Sequence, residues 1–352
     1  MCMIKLLHSG DWHLDSPLQG RTETQAAMLR RELLAIPGKL ATLCDLENCD
    51  LVLLSGDLFD GVYTQATYRV VYDALEKMQV PVFISPGNHD FISPDSPYEK
   101  ESWPENVFIF KKQQVQWVEL PKLGLRVCGA GFQSMDCPSL LNDIHGEGLA
   151  VGVFHGDPTQ LHSPYNPVTK QQVENSGLAY LALGHVHKGE AFRAGQTLCA
   201  WPGCPMGRGW DEQGEKGALI VTIEDTALIR FVPLNAPQFH DLTVNLADGI
   251  GSVLPAVANE DFYRVTLTGE AEQPDLIDLR TEFWAFPNLE LRDQTVRPVN
   301  LWEGAGEDSF EGVYFGMLKA ALEQASEEDK EKILLAAKLS RQLLEGQEVE
   351  LL

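Results

Sequence analysis

The sequence predicts an α/β protein with a largely parallel sheet, a small α+β unit behind it and a helical tail. Three observations lead there. Five apolar runs between residues 4 and 187 each stop at Asp, Asn or His. Segments of helical character separate the first three runs. The runs are continuously apolar rather than alternating, as strands covered on both faces are. The expected division is 1–235 for the α/β domain, 236–303 for the α+β unit and 304–352 for the tail.

In chain order, IKLLHSGDWH passes from a short apolar segment into Asp11 and His13. TETQAAMLRRELLAIPGKLATLCDLEN follows as a helix, and DLVLLSGDLFD is the second strand, ending in Asp57 and then Asp60. YTQATYRVVYDALEKM is the second helix, and VPVFISPGNHD ends the third strand in Asn88, His89 and Asp90. LAVGVFHGD ends in His155 and Asp157, and LAYLALGHVH in His185 and His187. WPGCPMGRGWDEQGEKGALIVTIE reads as a turn-rich loop returning to a final strand.

Strand–helix–strand alternation implies a parallel sheet with helices on both faces, and in such sheets sites form beyond the carboxyl ends of the strands. His185 and His187 stand at i and i+2. In extended conformation they share one face and reach a common point just past the strand end, as Asp11 and His13 do. The inventory at that edge is Asp11, His13, Asp57, Asn88, His155, His185 and His187. Three or four ligands suit one metal, whereas seven suit two with one carboxylate bridging. Mixed nitrogen and oxygen donors without thiolate favour Mn, Fe or Zn over Ca. Two ions about 3.5–4 Å apart are a recurrent solution for phosphoester hydrolysis. Against this stands ordinary turn chemistry, since a lone GD or GH is common and a single buried histidine is usually a core residue. Five such clusters at equivalent ends would then cost about 1–3 kcal/mol for each unsatisfied group. The metal reading prevails.

The formal net charge of -24 repels phosphate backbones unless positive charge is concentrated locally or supplied by metals or a partner. Unaided tight nucleic-acid binding is therefore disfavoured. The seven cysteines are scattered and include no CxxC pair, which points to reduced, mostly buried thiols. No apolar run approaches the roughly 20 residues needed to cross a bilayer. The early polar residues of MCMIKLLHSGDWHLDS argue against a signal peptide, so a cytoplasmic location is expected. His8 is expected in the core or behind the ligands, and His145, His162 and His240 in exposed loops. Arg208, in a Gly-flanked turn, is read as structural, with contact to a phosphate as the alternative.

DWH, GDLFD, GNHD, the histidine of VFHGD and the GHVH pair, in this order, resemble the calcineurin-type metallophosphoesterase superfamily. The opening DWHLDSP and the later YLALGHVHKG with AWPGCPMGRGWDE resemble its bacterial DNA-repair exonucleases of the SbcD and YhaO type. The resemblance covers roughly residues 4 to 225 and implies a four-layer αββα sandwich. It implies that Asp11, His13 and His187 hold a first divalent ion, most readily Mn with Fe or Zn as alternatives. Asp57 would bridge to a second, completed by Asn88, His155 and His185. His89 would stabilise the transition state and protonate the leaving oxygen, with Asp90 orienting and charging its imidazole. Archaeal and eukaryotic relatives carry a histidine where this chain has Asp60, so arguments about exonuclease action that use that histidine do not transfer. Asp15 and Asp157 are either partners of ligands or turn-forming residues.

Two prolines in RFVPLNAPQF mark a boundary, after which HDLTVNL, DFYRVTLTG, DLIDLRTEF and NLELRDQTV read as strand, strand, helix and strand. By resemblance this unit takes the place of a capping domain that orients DNA. YFGMLKAALEQA and ILLAAKLSRQLLEG read as two amphipathic helices around a charged break, SEEDKEK. They either fold onto their own domain or bind a partner, and the resemblance favours the coiled coil of an SbcC-like ABC-type ATPase. A second copy of the chain is the other candidate partner. The expected activity is metal-dependent hydrolysis of DNA phosphodiesters, with small nucleotides or phosphoproteins as alternative substrates. A catalytically silent scaffold would show broken ligand sets, and none is broken.

Overall fold

The computed structural model describes residues 3–298, 300–344 and 346. Two six-stranded sheets carry the larger compact unit, which comprises residues 1–241, 259–264 and 286–289. The first sheet is built from β1 (Ile4–Ser9), β2 (Leu51–Leu54), β3 (Val82–Ile84) and β4 (Val107–Ile109), all parallel. Helix α1 (Glu23–Glu47) connects β1 to β2, α2 (Gln65–Met78) connects β2 to β3, and the short α3 (Pro97–Lys100) precedes β4. The second sheet holds β5 (Gln116–Leu120), β6 (Leu125–Gly129), β7 (Ala150–His155) and, after α4 (Lys170–Asn175), β8 (Tyr180–Gly184), β9 (Lys188–Ala194) and β10 (Thr197–Gly203). Then β11 (Gly217–Ile223) and β12 (Ala227–Pro233) return to the first sheet, β11 antiparallel to β1.

One sheet with helices on both faces was the expectation from alternation, and two sheets are found. The reason lies in the connections. Only α1 and α2 are long, and both cover one face of the first sheet, where Leu29, Leu33, Ile36 and Leu40 pack on Leu7, Val52 and Leu54. After β3 the helical connections shrink to four and six residues, too short to cover the other face. Strands cover it instead. Leu6, Leu51, Leu53 and Phe83 meet Val127, Val151, Val153, Tyr180 and Ala182 between the sheets. The outer face of the second sheet closes over Phe154, Leu181, Leu183 and Val173 of α4. The result is a four-layer αββα sandwich.

Local signals place the helices. Thr22 and Gln25 form a reciprocal capping box at the start of α1, which ends at Asn48 in the left-handed conformation. Thr64 caps α2, whose first turn is also held by Asp15, accepting from the Thr64 N–H and the Thr67 hydroxyl at 2.8 Å each. Asp15 thereby ties the segment after β1 to a helix outside the sheet.

The smaller unit comprises residues 242–258, 265–285 and 290–352. A three-stranded sheet in the order β13 (Phe239–Asn245), β14 (Phe262–Thr268), β15 (Asn288–Asp293) is accompanied by α5 (Leu276–Glu282). His240 lies in β13, half-buried with Nε2 3.2 Å from Asp261, where an exposed loop was expected. His145 and His162 are exposed. Helices α6 (Phe310–Gln324) and α7 (Glu327–Leu344) form a hairpin around buried Phe315 and Ala337, with Arg341 over the Phe315 ring at 3.9 Å. The expected break over SEEDKEK narrows to Ala325 and Ser326. Three acidic residues in the first turn of α7 favour the positive helix end, and Ser326 accepts from the Asp329 N–H. Among the described residues no helix is long and apolar enough to cross a membrane.

His8 sits in β1, fully buried between the sheets, with Nδ1 2.7 Å from the Tyr180 hydroxyl and Nε2 3.1 Å from the Ser55 hydroxyl. Burial lowers its pKa to about 3, against the smaller opposing effect of a hydrogen bond to the Leu183 backbone. A folded-state pKa below that of the free imidazole means the unfolded chain takes up the proton first as pH falls below the ordinary value. Stability then declines down to the folded-state pKa. Between pH 7 and pH 5 this residue is expected to remove about 2 kcal/mol, at about 1.4 kcal/mol per pH unit below its ordinary pKa. Urea unfolding in chelator at both values should show a smaller loss in His8→Gln than in wild type; equal losses would reject the assignment.

Candidate metal centre

The carboxyl ends of β1, β2 and β3 in one sheet and of β7 and β8 in the other meet at a single edge. His155 pairs with Gly184 in the last register of β7 and β8, so the His155 ring stands next to the His185 segment. The close approach depends on missing side chains at two places. A Cβ on Gly56 (φ 95°) would stand 2.6 Å from the Ser85 carbonyl oxygen and 2.9 Å from His155 Nδ1. One on Gly87 would stand 2.3 Å from Asp57 Oδ1.

The loops after β1 and β2 run side by side through Asp11 N–H to Gly56 O (2.9 Å), His13 N–H to Asp57 O (2.9 Å) and Leu14 N–H to Leu58 O (3.0 Å). This pairing forces left-handed backbone at Asp11 (φ 54°), His13 (47°) and Asp57 (50°). His185, just past β8, has φ 95°. The expectation of extended i, i+2 pairs at Asp11/His13 and His185/His187 is therefore corrected. The strand ends at the first turn residue, and the two histidines after β8 serve different neighbours. Non-glycine residues at such angles cost on the order of 1–3 kcal/mol each, less for aspartate, and such strain clusters at functional sites.

Asp11 is fully buried and accepts the His185 N–H on both oxygens, at 2.9 and 3.1 Å. Asp57 Oδ1 accepts the His89 N–H at 2.9 Å, while Oδ2 lies 3.8 Å from His13 Nε2 and 3.4 Å from His155 Nε2. Asn88 Oδ1 is 2.9 Å from His155 Nε2 and 3.3 Å from His185 Nδ1. His13 Nε2 faces His187 Nε2 at 3.0 Å. All seven expected residues thus come together. Donor atoms of Asp11, His13 and His187 lie within 4.8 Å of one another, as do those of Asp11, Asp57 and His155, and those of His13, Asp57 and His89.

Three of the rings are tied from behind. His13 Nδ1 stands 3.4 Å from Asp60, His187 Nδ1 2.6 Å from Glu212, and His155 Nδ1 2.9 Å from the Ser55 carbonyl oxygen. Each of these oxygens accepts, so each Nδ1 carries the hydrogen and each Nε2 presents a lone pair inward. Two lone pairs then face each other between His13 and His187, and the His155 lone pair faces the Asn88 oxygen. No proton is available to these contacts unless a ring becomes cationic. Burial opposes that at three rings, taking His13 down to about 3 and His185 to about 4, and lowering His155 as well, whereas at His187 the Glu212 hydrogen bond and the Asp11 and Glu212 charges outweigh burial and raise the pKa. Burial also raises Asp11, and takes Asp57 up to about 6. A cluster of mostly neutral imidazoles and reluctantly ionised carboxyls converging on one space fits cations between them. Histidines that hold metals characteristically donate their other N–H to a carboxylate or carbonyl.

His89 stands apart. Its ring is half-exposed, and its Nδ1 lies 2.6 Å from Asp60 Oδ1, a bond that raises its pKa against the effect of burial. Asp90 was expected to orient this ring and does not. It turns inward to accept the N–H groups of Gly87 (2.7 Å), Leu58 (2.7 Å) and Asp57 (3.2 Å) and the Tyr98 hydroxyl (2.6 Å). Those donors would otherwise be buried without partners, so they hold the carboxylate and leave the ring to Asp60. The sequence pattern contains Asp60 but does not single it out. Glu212 was missed altogether, since it lies 25 residues from the ring it holds, in a loop without a period. Asp157 takes the Thr159 N–H and hydroxyl as a turn residue does, with its other oxygen 4.0 Å from His185 Nε2.

The sequence model of the calcineurin-like phosphoesterase family matches residues 4–189. The uncharacterized metallophosphoesterase YhaO of Bacillus subtilis is 28% identical over 237 residues, covering 62% of this chain and 57% of that protein. The SbcD component of the nuclease SbcCD from the same organism is 23% identical over 268 residues, covering 63% of this chain and 66% of the relative. The chain therefore spans a little over half to two thirds of these relatives. A solved dimetal phosphatase from Danio rerio is 10% identical, with a TM-score of 0.44 over 66% of this chain and 97% of that one.

Glu212→Gln keeps the shape behind His187 but removes the charge. Calorimetric titration with Mn²⁺ should show affinity at the site reduced about 10- to 100-fold. Unchanged affinity would mean that His187 needs no anionic partner.

Proposed function

Since the chain belongs to the calcineurin-like phosphoesterase family, we propose that it is a two-metal phosphodiesterase acting on DNA, the nuclease subunit of a repair complex. The observation that carries the metal reading is the convergence of the donor atoms of Asp11, His13 and His187 and of Asp11, Asp57 and His155, each set within 4.8 Å. In this reading Asp11, His13 and His187 hold one divalent cation and Asn88, His155 and His185 the other, with Asp57 shared. Such ions, most readily Mn²⁺, supply a nucleophilic water at neutral pH and neutralise charge on the phosphoryl oxygens. The chain's own residues do the rest. Asp57 and Asn88 fix the spacing, Asp60 keeps the His89 imidazole protonated, and His89 gives its proton to the departing sugar oxygen.

DNA as substrate and an SbcC-like ABC-type ATPase as partner follow the likeness to the SbcD component of the SbcCD nuclease. An ATPase would also offset the charge of -24 by supplying a basic surface. Phe310, Val313 and Met317 are exposed on α6, an apolar stripe suited to a coiled coil. The same net charge supports a second reading, hydrolysis of small nucleotides or phosphoproteins.

The test is Mn²⁺-dependent hydrolysis of end-labelled duplex DNA beside bis-p-nitrophenyl phosphate, in wild type and His89→Ala. Loss of the general acid should slow DNA cleavage about 10²- to 10⁴-fold. The nitrophenyl ester should suffer less, because its leaving group departs without a proton. Cleavage of the small ester with DNA untouched, with and without the ATPase, would move the function to the second reading.

A further inference from the structure

His187, Cys204 and Glu212 place donor atoms within 4.8 Å of one another beside the centre, and only His187 belongs to the seven-residue set. Arg208 already occupies that carboxylate, so the triple is not a third cation site. Its guanidinium gives Nη2–H to Glu212 Oε1 at 2.7 Å and Nε–H to Oε2 at 3.3 Å. Nη2 is 3.4 Å from His187 Nδ1, whose own hydrogen goes to the same Glu212 oxygen. One carboxylate thus holds a metal-facing imidazole and an arginine side by side.

The ion pair with Glu212 occupies one edge of the guanidinium and leaves the other open. The side chain is 16% exposed, and Nη1 has no hydrogen-bond partner among the described residues. That edge reaches solvent and is open to an anion, while the paired edge is held by Glu212. Arg208 lines a cleft of about 640 Å³ together with Asp60, the residue that holds His89. The cleft therefore has the residue that holds His89 and Arg208 in its lining, with Glu212, the anchor of His187, beside them.

Its position is also fixed in advance. The Arg208 N–H is bound to Glu212 Oε2 at 2.7 Å and its carbonyl oxygen accepts from Arg21 at 3.3 Å. Arg21 in turn lies over the rings of Trp210, Phe239 and Phe262. An arginine held at backbone and at one edge loses little freedom when its free edge meets an anion.

We propose that Arg208 binds the phosphoryl group of the substrate, its free Nη1 edge donating to a non-bridging oxygen of the phosphate ester lying against His187. This rests on the phosphodiesterase reading. It assigns the substrate's anionic group a protein contact in addition to the cations, in a chain whose overall charge repels it.

The experiment uses the whole chain loaded with Mn²⁺ and titrated calorimetrically with inorganic phosphate, alongside a separate Mn²⁺ titration. Arg208→Ala should weaken phosphate binding about 10- to 100-fold, as expected for loss of a charge-assisted contact. Mn²⁺ affinity should change less than about threefold, since Glu212 still holds His187. Arg208→Lys, which keeps charge without the fork, should fall between and guards against misfolding of the alanine variant. In hydrolysis of bis-p-nitrophenyl phosphate, KM should rise more than kcat falls. Unchanged phosphate binding in both variants overturns the proposal. So does a fall in Mn²⁺ affinity that matches the fall in phosphate affinity, which would make Arg208 a prop for Glu212. A wild type that binds Mn²⁺ and phosphate yet hydrolyses no ester would overturn the phosphodiesterase reading while leaving the contact itself measurable.

Discussion

Unshared electron pairs converging in a buried space are the constraint the rest of the molecule answers to. His13 and His187 point Nε2 at each other across 3.0 Å, and His155 points its own at an amide oxygen 2.9 Å away. Left to themselves such groups separate or take up protons. They are kept in place because each ring is anchored on its far side and because the strands that deliver them are locked into cores between and outside the sheets. The repulsion is a stored preference for cations.

That requirement explains the two-sheet architecture better than strand propensity does. The strands of the first sheet bring Asp11, His13, Asp57 and Asn88 to the edge, whereas His155, His185 and His187 come from the second. Facing the sheets lets loops from both overhang one spot. The cost appears in the backbone, in left-handed aspartates and histidines and in glycines at 56 and 87 where any Cβ would collide. The apolar interior offsets it, since each fully buried Leu, Ile or Val contributes about 1.5–3 kcal/mol.

Much of this was legible in the sequence because strand ends announce themselves. Continuous apolar runs stopping at His or Asp are a one-dimensional signal, and all five marked strands of the sandwich. What could not be read was long-range. Which carboxylate backs which imidazole depends on where a side chain turns, and Asp90, adjacent to His89 in the chain, is drawn away by three backbone N–H groups. Glu212 gives no local cue, because a turn-rich loop has no period to read. Connection length was the overlooked clue to the second sheet, for helices of four and six residues cannot cover a sheet face.

The anchors behind the rings are not equivalent, and the difference organises the site. His155 rests on a neutral carbonyl, which fixes its orientation and adds little charge. His187 rests on a carboxylate already shared with Arg208, so part of that anion's influence is spent on a neighbouring cation. Asp60 is shared more directly still, because a single oxygen, Oδ1, lies 3.4 Å from His13 Nδ1 and 2.6 Å from His89 Nδ1. The two rings therefore draw on one carboxylate oxygen, and positive charge on His89 adds to burial in lowering the His13 pKa. The charge states of the two rings are thus linked beside one atom, an arrangement that would be absent had Asp90 held the His89 ring as its place in the chain suggests.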